Sequence, residues 1–351
     1  MGKMMDCRGL IEKLDMEKAL KPAEWVTLLS TYTGADRLFA AEKARAIAQK
    51  HYGRKVFIRG IVEFSNICGN DCFYCGIRKS NKLVTRYSMS DEEILECCRI
   101  GWQNNIKTFV LQSGEAVKLN SARIGNLIGQ LKEQFPGCAV TLSLGELSFE
   151  EYKFLYEAGA DRYLLRHETA NEVHYRKLHP ESMSLSNRME CLRNLKKIGY
   201  QTGCGIMAGS PFQTVETLAE DMIFMKDLQP EMVGIGPFIP HKNTPFAKFS
   251  AGTLESTLMT VSLCRIMLEK ALLPSTTALG ALQSNGRELG ILAGANVIMP
   301  NLTPPDAQDN YILYENKKRA DVPVIQAVAE LKNKLDAIGY TLHTGRGDFG
   351  G

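Results

Sequence analysis

The sequence predicts an α/β chain: a (βα)8 TIM barrel with an N-terminal helical extension and a C-terminal helix and tail. Three observations carry this. Eight short apolar runs recur along the chain, most of them rich in β-branched residues. Longer stretches of helical periodicity separate them. Polar, turn-forming and titratable residues follow the runs, at the strand ends where a barrel builds its active site.

Residues 1–54 precede the first strand and read as a helical cap, with "ADRLFAAEKARAIAQKHYG" the clearest stretch. The candidate strands are KVFIRGIVEF (55–64), KTFVLQ (107–112), AVTLSL (139–144), RYLLR (162–166), GCGIMAG (203–209), MVGIGPF (232–238), PSTTALG (274–280) and NVIMP (296–300). Each of the first seven leads into a helix candidate. Ser90 with Glu93, and Ser148 with Glu151, form capping boxes that fix two helix starts. Other helices begin near Thr214 and Thr253. Gly159 and Gly199 stand just past helices, where a left-handed residue is wanted. Parallel strands need right-handed crossovers, and eight of them can close into a barrel over 55–305. An open doubly wound sheet is the alternative the pattern leaves. Residues 322–338 read as a last amphipathic helix inside a C-terminal segment, 306–351. No Gly/Ser linker or low-complexity tract divides the chain, so 1–351 reads as one domain.

The formal charge is +3 with basic residues scattered, which argues against nucleic acid as a partner. "MGKMMDCRGL" lacks the apolar core of a signal peptide, and no apolar run approaches membrane-spanning length. A cytoplasmic location is expected, with no membrane partner, and there the ten cysteines are thiols or metal ligands rather than disulfides. Seven of them are dispersed and read as small buried hydrophobes.

The other three are close together. "EFSNICGNDCFYCGIR" holds Cys68, Cys72 and Cys75 at C-x3-C-x2-C, in the loop after the first strand. Three thiolates can hold three corners of a [4Fe-4S] cube and leave the fourth iron open to a small molecule. Zinc would want a fourth ligand, such as a distant His167 or His241. A redox pair of Cys72 and Cys75 would not need Cys68. Three unrelated buried cysteines fit poorly with the turn residues Gly69, Asn70 and Asp71 between them.

The motif, with Tyr74 before its last cysteine, resembles that of the radical S-adenosylmethionine (SAM) enzymes. "LQSGE", "VTLSLGE", "ADRYLLRHETAN", "MVGIGPFIPH", "GRE", "GANVIMPN" and "GRGDFGG" narrow the resemblance to the HydE group of [FeFe]-hydrogenase maturases, related to biotin synthase. It runs from about residue 10 to the C-terminus. The resemblance implies one [4Fe-4S] cluster on Cys68, Cys72 and Cys75, and SAM as co-substrate. It places SAM against Tyr74, Ser113, Gly114, Glu115, Ser143, Glu168, Arg188 and Ile206. Glu115 would meet the amino group, and the planar fork of Arg188 the carboxylate. Alone, Glu115 reads as a solvated loop acid and Arg188 as a surface arginine.

The same resemblance puts Arg166, Thr276, Thr277 and Met299 in catalysis, and Arg59, Gln112, Tyr311 and Tyr314 around the substrate. Two arginines inside a barrel are costly unless an anion or a salt bridge meets them. His241 reads more simply as a polar loop histidine than as a catalyst. Many HydE sequences carry three further cysteines near the C-terminus for a second cluster; here the last cysteine is Cys264 and "YENKKRADVPV" occupies that region. No second Fe–S cluster is expected.

The implied activity is reductive cleavage of SAM to a 5′-deoxyadenosyl radical that attacks the cysteine sulfur of an Fe(CO)2(CN)–cysteine complex. The implied partners are the maturases HydG and HydF and an electron donor such as ferredoxin or flavodoxin. Two rivals stand beside it: a radical SAM enzyme on another small substrate, such as a methylornithine synthase-like mutase or a HydE paralogue, and a cluster- or zinc-binding scaffold without catalysis.

Overall fold

In the computed structural model the described residues are 5–317 and 322–350. Three helices come first: Cys7–Glu17, Pro22–Thr31 and Gly34–Tyr52. Side chains cap two of them. Asp6 accepts from the Gly9 amide at 2.8 Å, and Thr33 and Asp36 form a reciprocal box. Their apolar faces, including Leu14, Trp25, Leu28 and Ala44, join the main core. Helix Leu254–Met267 is buried without a break from Thr257 to Met267, as expected of a helix enclosed on all sides.

The strands are β1 (Lys55–Ile58), β2 (Gly60–Ser65), β3 (Thr108–Ser113), β4 (Ala139–Ser143), β5 (Arg162–Leu164), β6 (Gln201–Ala208), β7 (Met232–Pro237), β8 (Val297–Ile298) and β9 (Thr341–His343). β2 to β7 form a parallel sheet in sequence order, with pairs such as Leu111↔Leu142 and Ile206↔Ile235. Leu111, Leu142, Ile206 and Ile235 are buried between sheet and helices, as in parallel α/β folds. Beyond β7 the hydrogen bonding continues through residues 272–275. Leu272 donates to Glu231 at 2.8 Å, Val233 donates to Leu272 at 3.1 Å, and Ser275 donates to Val297 at 2.8 Å. β8 then pairs with β1, which brings the ring of strands back to its start.

Two expectations need correction. The segment 274–280 is not a strand throughout. The chain makes bridges at Leu272, just before it, and at Pro274, and then turns into helix Thr277–Leu282, with Thr276 at the N-cap. Ser-Thr-Thr reads as β-branched, but Ala278, Leu279, Ala281 and Leu282 favour a helix once the chain has turned. The first strand is likewise interrupted at Arg59. Above it β2 pairs with β3; below it β1 pairs with β9 from the far end of the chain.

That pairing brings the C-terminal tail under the barrel. The Gly347 carbonyl accepts from Arg59 and from Arg162, both at 3.2 Å. Arg162 also bonds the Arg346 carbonyl at 3.0 Å and Asp348 at 2.6 Å. Arg59, expected beside the substrate, therefore faces the barrel floor instead. The Gly347 carbonyl takes the place of the anion it seemed to need.

Candidate active site

At the opposite end, the loops after the strands enclose a chamber of about 650 Å³. Cys68, Cys72 and Cys75 open onto it. Gly114, directly after β3, lets the cysteine loop close on the strand end. A side chain there would meet the Ile67 carbonyl at 2.5 Å and the Cys68 Cβ at 2.9 Å. Gly145 does the same after β4. Its φ of +85° suits glycine, and a Cβ would strike the Glu115 side chain.

The thiols are half-buried in a low-dielectric pocket. Burial and the neighbouring thiol of Cys68 push Cys75 up to about 12, so without a cation it stays protonated. A bound metal reverses that preference. Among the described residues no three His, Cys, Asp or Glu side chains converge on a single ion. A cube does not require such convergence, because it carries each thiolate on a separate iron. The donor set thus fits a cluster.

Beside the cysteines lies a charged group. Arg188, in the first turn of helix Leu185–Ile198, is 2.7 Å from Glu146 and 3.4 Å from Glu115. Burial raises the Glu146 carboxyl, and Arg188 opposes it. Tyr74 donates its hydroxyl to His179 Nε2 at 3.1 Å, while His179 Nδ1 donates to the Tyr175 carbonyl at 3.0 Å. Burial pushes that histidine down to about 3, so it is neutral and holds the Tyr74 ring in place. Across the chamber Arg166 bonds Glu168 at 2.9 Å and the Ile206 carbonyl at 2.7 Å. Glu168 takes a φ of +63°, unusual for a non-glycine residue, just beyond β5.

Gln112, Ser113, Ser143, Thr276, Thr277, Met299, Tyr311 and Tyr314 also line the chamber. Gln112 donates to the Tyr311 hydroxyl at 3.1 Å, and the Thr277 and Tyr314 hydroxyls are 2.8 Å apart. Of the expected site residues, two lie off this wall. Arg59 is in the floor, and the Ile206 side chain packs in the core while the adjacent Met207 lines the chamber. His241 is buried near Glu315, at a smaller cleft of about 170 Å³ whose lining residues are not those of the main chamber.

Sequence reasoning gave no role to Glu63, Glu146 or Lys317. Glu63 is buried on β2 and meets Lys317 at 2.6 Å and Asn301 at 2.9 Å. Its signal was present: an acid in the middle of "IVEFS", where every neighbour is apolar or small.

Comparison with known proteins follows the same lines. Residues 62–225 match the model of the radical SAM superfamily. The [FeFe] hydrogenase maturase subunit HydE of Thermotoga maritima is 47% identical over 294 residues, 82% of this chain and 84% of that protein. The 3-methylornithine synthase of Methanosarcina barkeri is 30% identical over 80% of this chain and 79% of that protein. Among solved structures, methylornithine synthase (PylB) superposes with a TM-score of 0.83 at 26% identity, covering 95% of this chain and 97% of that one. HydG, a maturase of the [FeFe]-hydrogenase, shares the fold at a TM-score of 0.81 and 21% identity, covering 95% of this chain and 75% of that one. A radical SAM enzyme of this kind employs a [4Fe-4S] cluster and SAM, and the three-cysteine chamber supplies the matching donors. With relatives that span most of its length, the chain belongs to the radical SAM superfamily and, within it, to the HydE group.

Proposed function

We propose that this protein is a maturase in the assembly of the [FeFe]-hydrogenase H-cluster. Its substrate would be a cysteine-bound Fe(CO)2(CN) unit made by HydG, and its product would pass toward HydF. The observation that carries the reading is the single chamber. It brings the three cysteines, the Arg188–Glu115 pair and the Arg166–Thr277–Tyr314 wall together in a chain 47% identical to a HydE.

When bound, the cluster and SAM supply one-electron chemistry that generates a 5′-deoxyadenosyl radical. The chain's residues do the rest. Cys68, Cys72 and Cys75 would hold the cluster, and no second one is proposed. Glu115 and Arg188, now paired with each other, would exchange that contact for the amino and carboxylate groups of SAM. Tyr74, Ser113, Gly114, Ser143, Glu168 and the backbone at Ile206 would complete the SAM site. Arg166, Thr276, Thr277 and Met299 would position the cysteine sulfur of the substrate for attack. Gln112, Tyr311 and Tyr314 would close the chamber against water. A low-potential carrier such as ferredoxin or flavodoxin would provide electrons. No described helix is long and apolar enough to cross a membrane, and a cytoplasmic setting suits these partners.

The test is anaerobic. The protein is reconstituted with iron and sulfide, reduced, given SAM, and 5′-deoxyadenosine is counted with and without the HydG product complex. An adenosylated iron–cysteine product supports the reading. SAM cleavage that ignores the complex overturns this substrate. It would favour the second reading, a mutase of amino-acid side chains, which the 30% identity to 3-methylornithine synthase supports. A cluster-loaded protein that never cleaves SAM would leave a scaffold.

A further inference from the structure

The loop that carries the three cysteines also has an outer side, turned away from the chamber and toward solvent. Ile67, directly before Cys68, is 47% exposed. Val117 is 86% exposed, the most of any large apolar side chain among the described residues. Val117 lies on the loop itself: a Cβ on Gly69, between Cys68 and Cys72, would stand 2.5 Å from its Cγ2. The Gly69 amide donates to the Glu115 carbonyl at 2.7 Å, which ties the segment after β3 to the cysteine loop. Apolar side chains left open together, with charges at their rim, mark an interaction surface.

The rim is basic. Next to Gly69, the Asn70 carbonyl accepts from the Lys79 amide at 2.8 Å. Lys82 follows in the turn that the Asn81 amide group pins to the Gly76 carbonyl at 2.6 Å, and Lys118 is next to Val117. All three lysines are exposed, and among the described residues none of their ammonium groups meets a carboxylate, an acceptor or a ring. The nearby carboxylates are engaged elsewhere: Asp71 with Arg78 at 2.7 Å and with Ser80, Glu115 with Arg188. Residues 67–86 hold no other acid. Arg86 spends its guanidinium on the carbonyls of Asn66, Ile77 and Arg78. What reaches solvent is an apolar centre among three uncompensated positive charges.

We infer that this face is the docking surface for a small acidic protein that carries one electron at a time. Electrons pass between proteins only over short distances, so a carrier must meet the chain where the cysteine loop reaches solvent. The lysines draw in and orient a partner of negative charge. Ile67 and Val117 supply the dry contact at the centre. A small face suffices, because redox encounters bury little surface and part after each transfer. A second copy of this chain suits the face poorly, since a two-fold contact would set the same lysines against each other. In the transfer itself a flavin hydroquinone anion loses one electron and becomes the neutral semiquinone. The oxidised cluster on Cys68, Cys72 and Cys75 gains that electron, and no covalent bond forms or breaks. The inference rests on the reading that these cysteines hold a cluster fed by an external carrier.

The experiment uses the cluster-loaded protein and a bacterial flavodoxin of net negative charge. Affinity is measured by calorimetry with both proteins oxidised, so that no turnover occurs. The rate of cluster reduction by flavodoxin hydroquinone is then followed by stopped-flow absorbance. The variant reverses Lys79, Lys82 and Lys118 to Glu. The control reverses Lys50, Lys55 and Lys197, exposed at the floor end of the barrel, and so has the same net charge. Affinity and rate are expected to fall about tenfold or more in the loop variant and to change little in the control. Raising ionic strength from about 0.01 M to about 0.3 M should slow the wild type and not the loop variant. Reduced methyl viologen, a small cation that needs no docking surface, should reduce the loop variant at least as fast as the wild type. Equal effects of the two triple reversals overturn the proposal, as does unchanged flavodoxin affinity in the loop variant. A matching loss with methyl viologen also overturns it, since the defect would then lie in the cluster. If the loop variant loses its cluster absorbance, Val117→Asp carries the test, with a several-fold loss of affinity expected and none overturning the proposal. Failure of the maturase reading shows separately, as protein that flavodoxin binds and reduces through these lysines yet that leaves the HydG complex unchanged.

Discussion

Replacing Asp348 by Asn tests whether charge holds the tail in the barrel floor. Arg162 has no exposed side-chain surface, and its partner Asp348 is 33% exposed at 2.6 Å. Breaking a fully buried ion pair by removing one member costs about 3–5 kcal/mol. Here the exposure of Asp348 screens part of that. Arg162 also keeps Gln201 at 3.2 Å, Thr108 at 3.3 Å and two tail carbonyls. The expected loss is about 2 kcal/mol. In a chain of this length that lowers Tm by about 3 °C, read by far-UV circular dichroism. The pH dependence is fixed by sign. Burial alone would raise the Asp348 carboxyl, but Arg346 and Arg162 outweigh it and hold it well below the usual carboxylate range. A carboxyl lowered on folding stabilises above its unfolded pKa, and the contribution fades as pH falls through the folded value. The gap between wild type and Asp348→Asn should be flat from about pH 5 to 8 and close only in strong acid. A variant melting within about 1 °C of wild type at neutral pH would refute the account, since hydrogen bonding to the carbonyls would then suffice.

Other outcomes can be checked alongside. Alanine at Cys68, Cys72 or Cys75 should abolish stable iron loading and 5′-deoxyadenosine formation, while alanine at Cys264, buried on its helix, should leave iron content unchanged. Gly114→Ala should lower iron retention with little change in far-UV signal, because its methyl group meets the cysteine loop backbone at 2.5 Å. Arg188→Met leaves Glu115 and Glu146 facing each other. SAM affinity, measured by equilibrium dialysis, should fall about thirtyfold, equivalent to about 2 kcal/mol, with Arg188→Lys recovering only part. Lys317→Met strands the buried Glu63 carboxylate and should cost about 3 kcal/mol in urea unfolding; adding Glu63→Gln should restore much of it.

The barrel was legible because its strands are buried on both faces. Such strands read as near-continuous apolar runs, and the capping boxes at Ser90 and Ser148 mark where two helices start. The cysteine loop was legible because its spacing has few other chemical uses. What escaped was tertiary. Nothing local in "PSTTALG" says that the chain leaves the sheet after Pro274. Nothing near Arg59 announces that its partner is a carbonyl almost three hundred residues away, because backbone acceptors leave no sequence signature.

β9 also bears on how the protein is made. Its register, Lys55↔Thr341 to Phe57↔His343, joins a strand near the start of the barrel to residues near the end of the sequence. Contacts so distant along the chain form late, since loop closure must be met before they contribute. A nascent chain can therefore assemble most of the sheet while the floor is still open, with Arg59 and Arg162 lacking their carbonyls. A stalled or clipped chain stays in that state. The tail is thus the last piece of the barrel to be fitted, and its arrival supplies the Gly347 carbonyl that both arginines share.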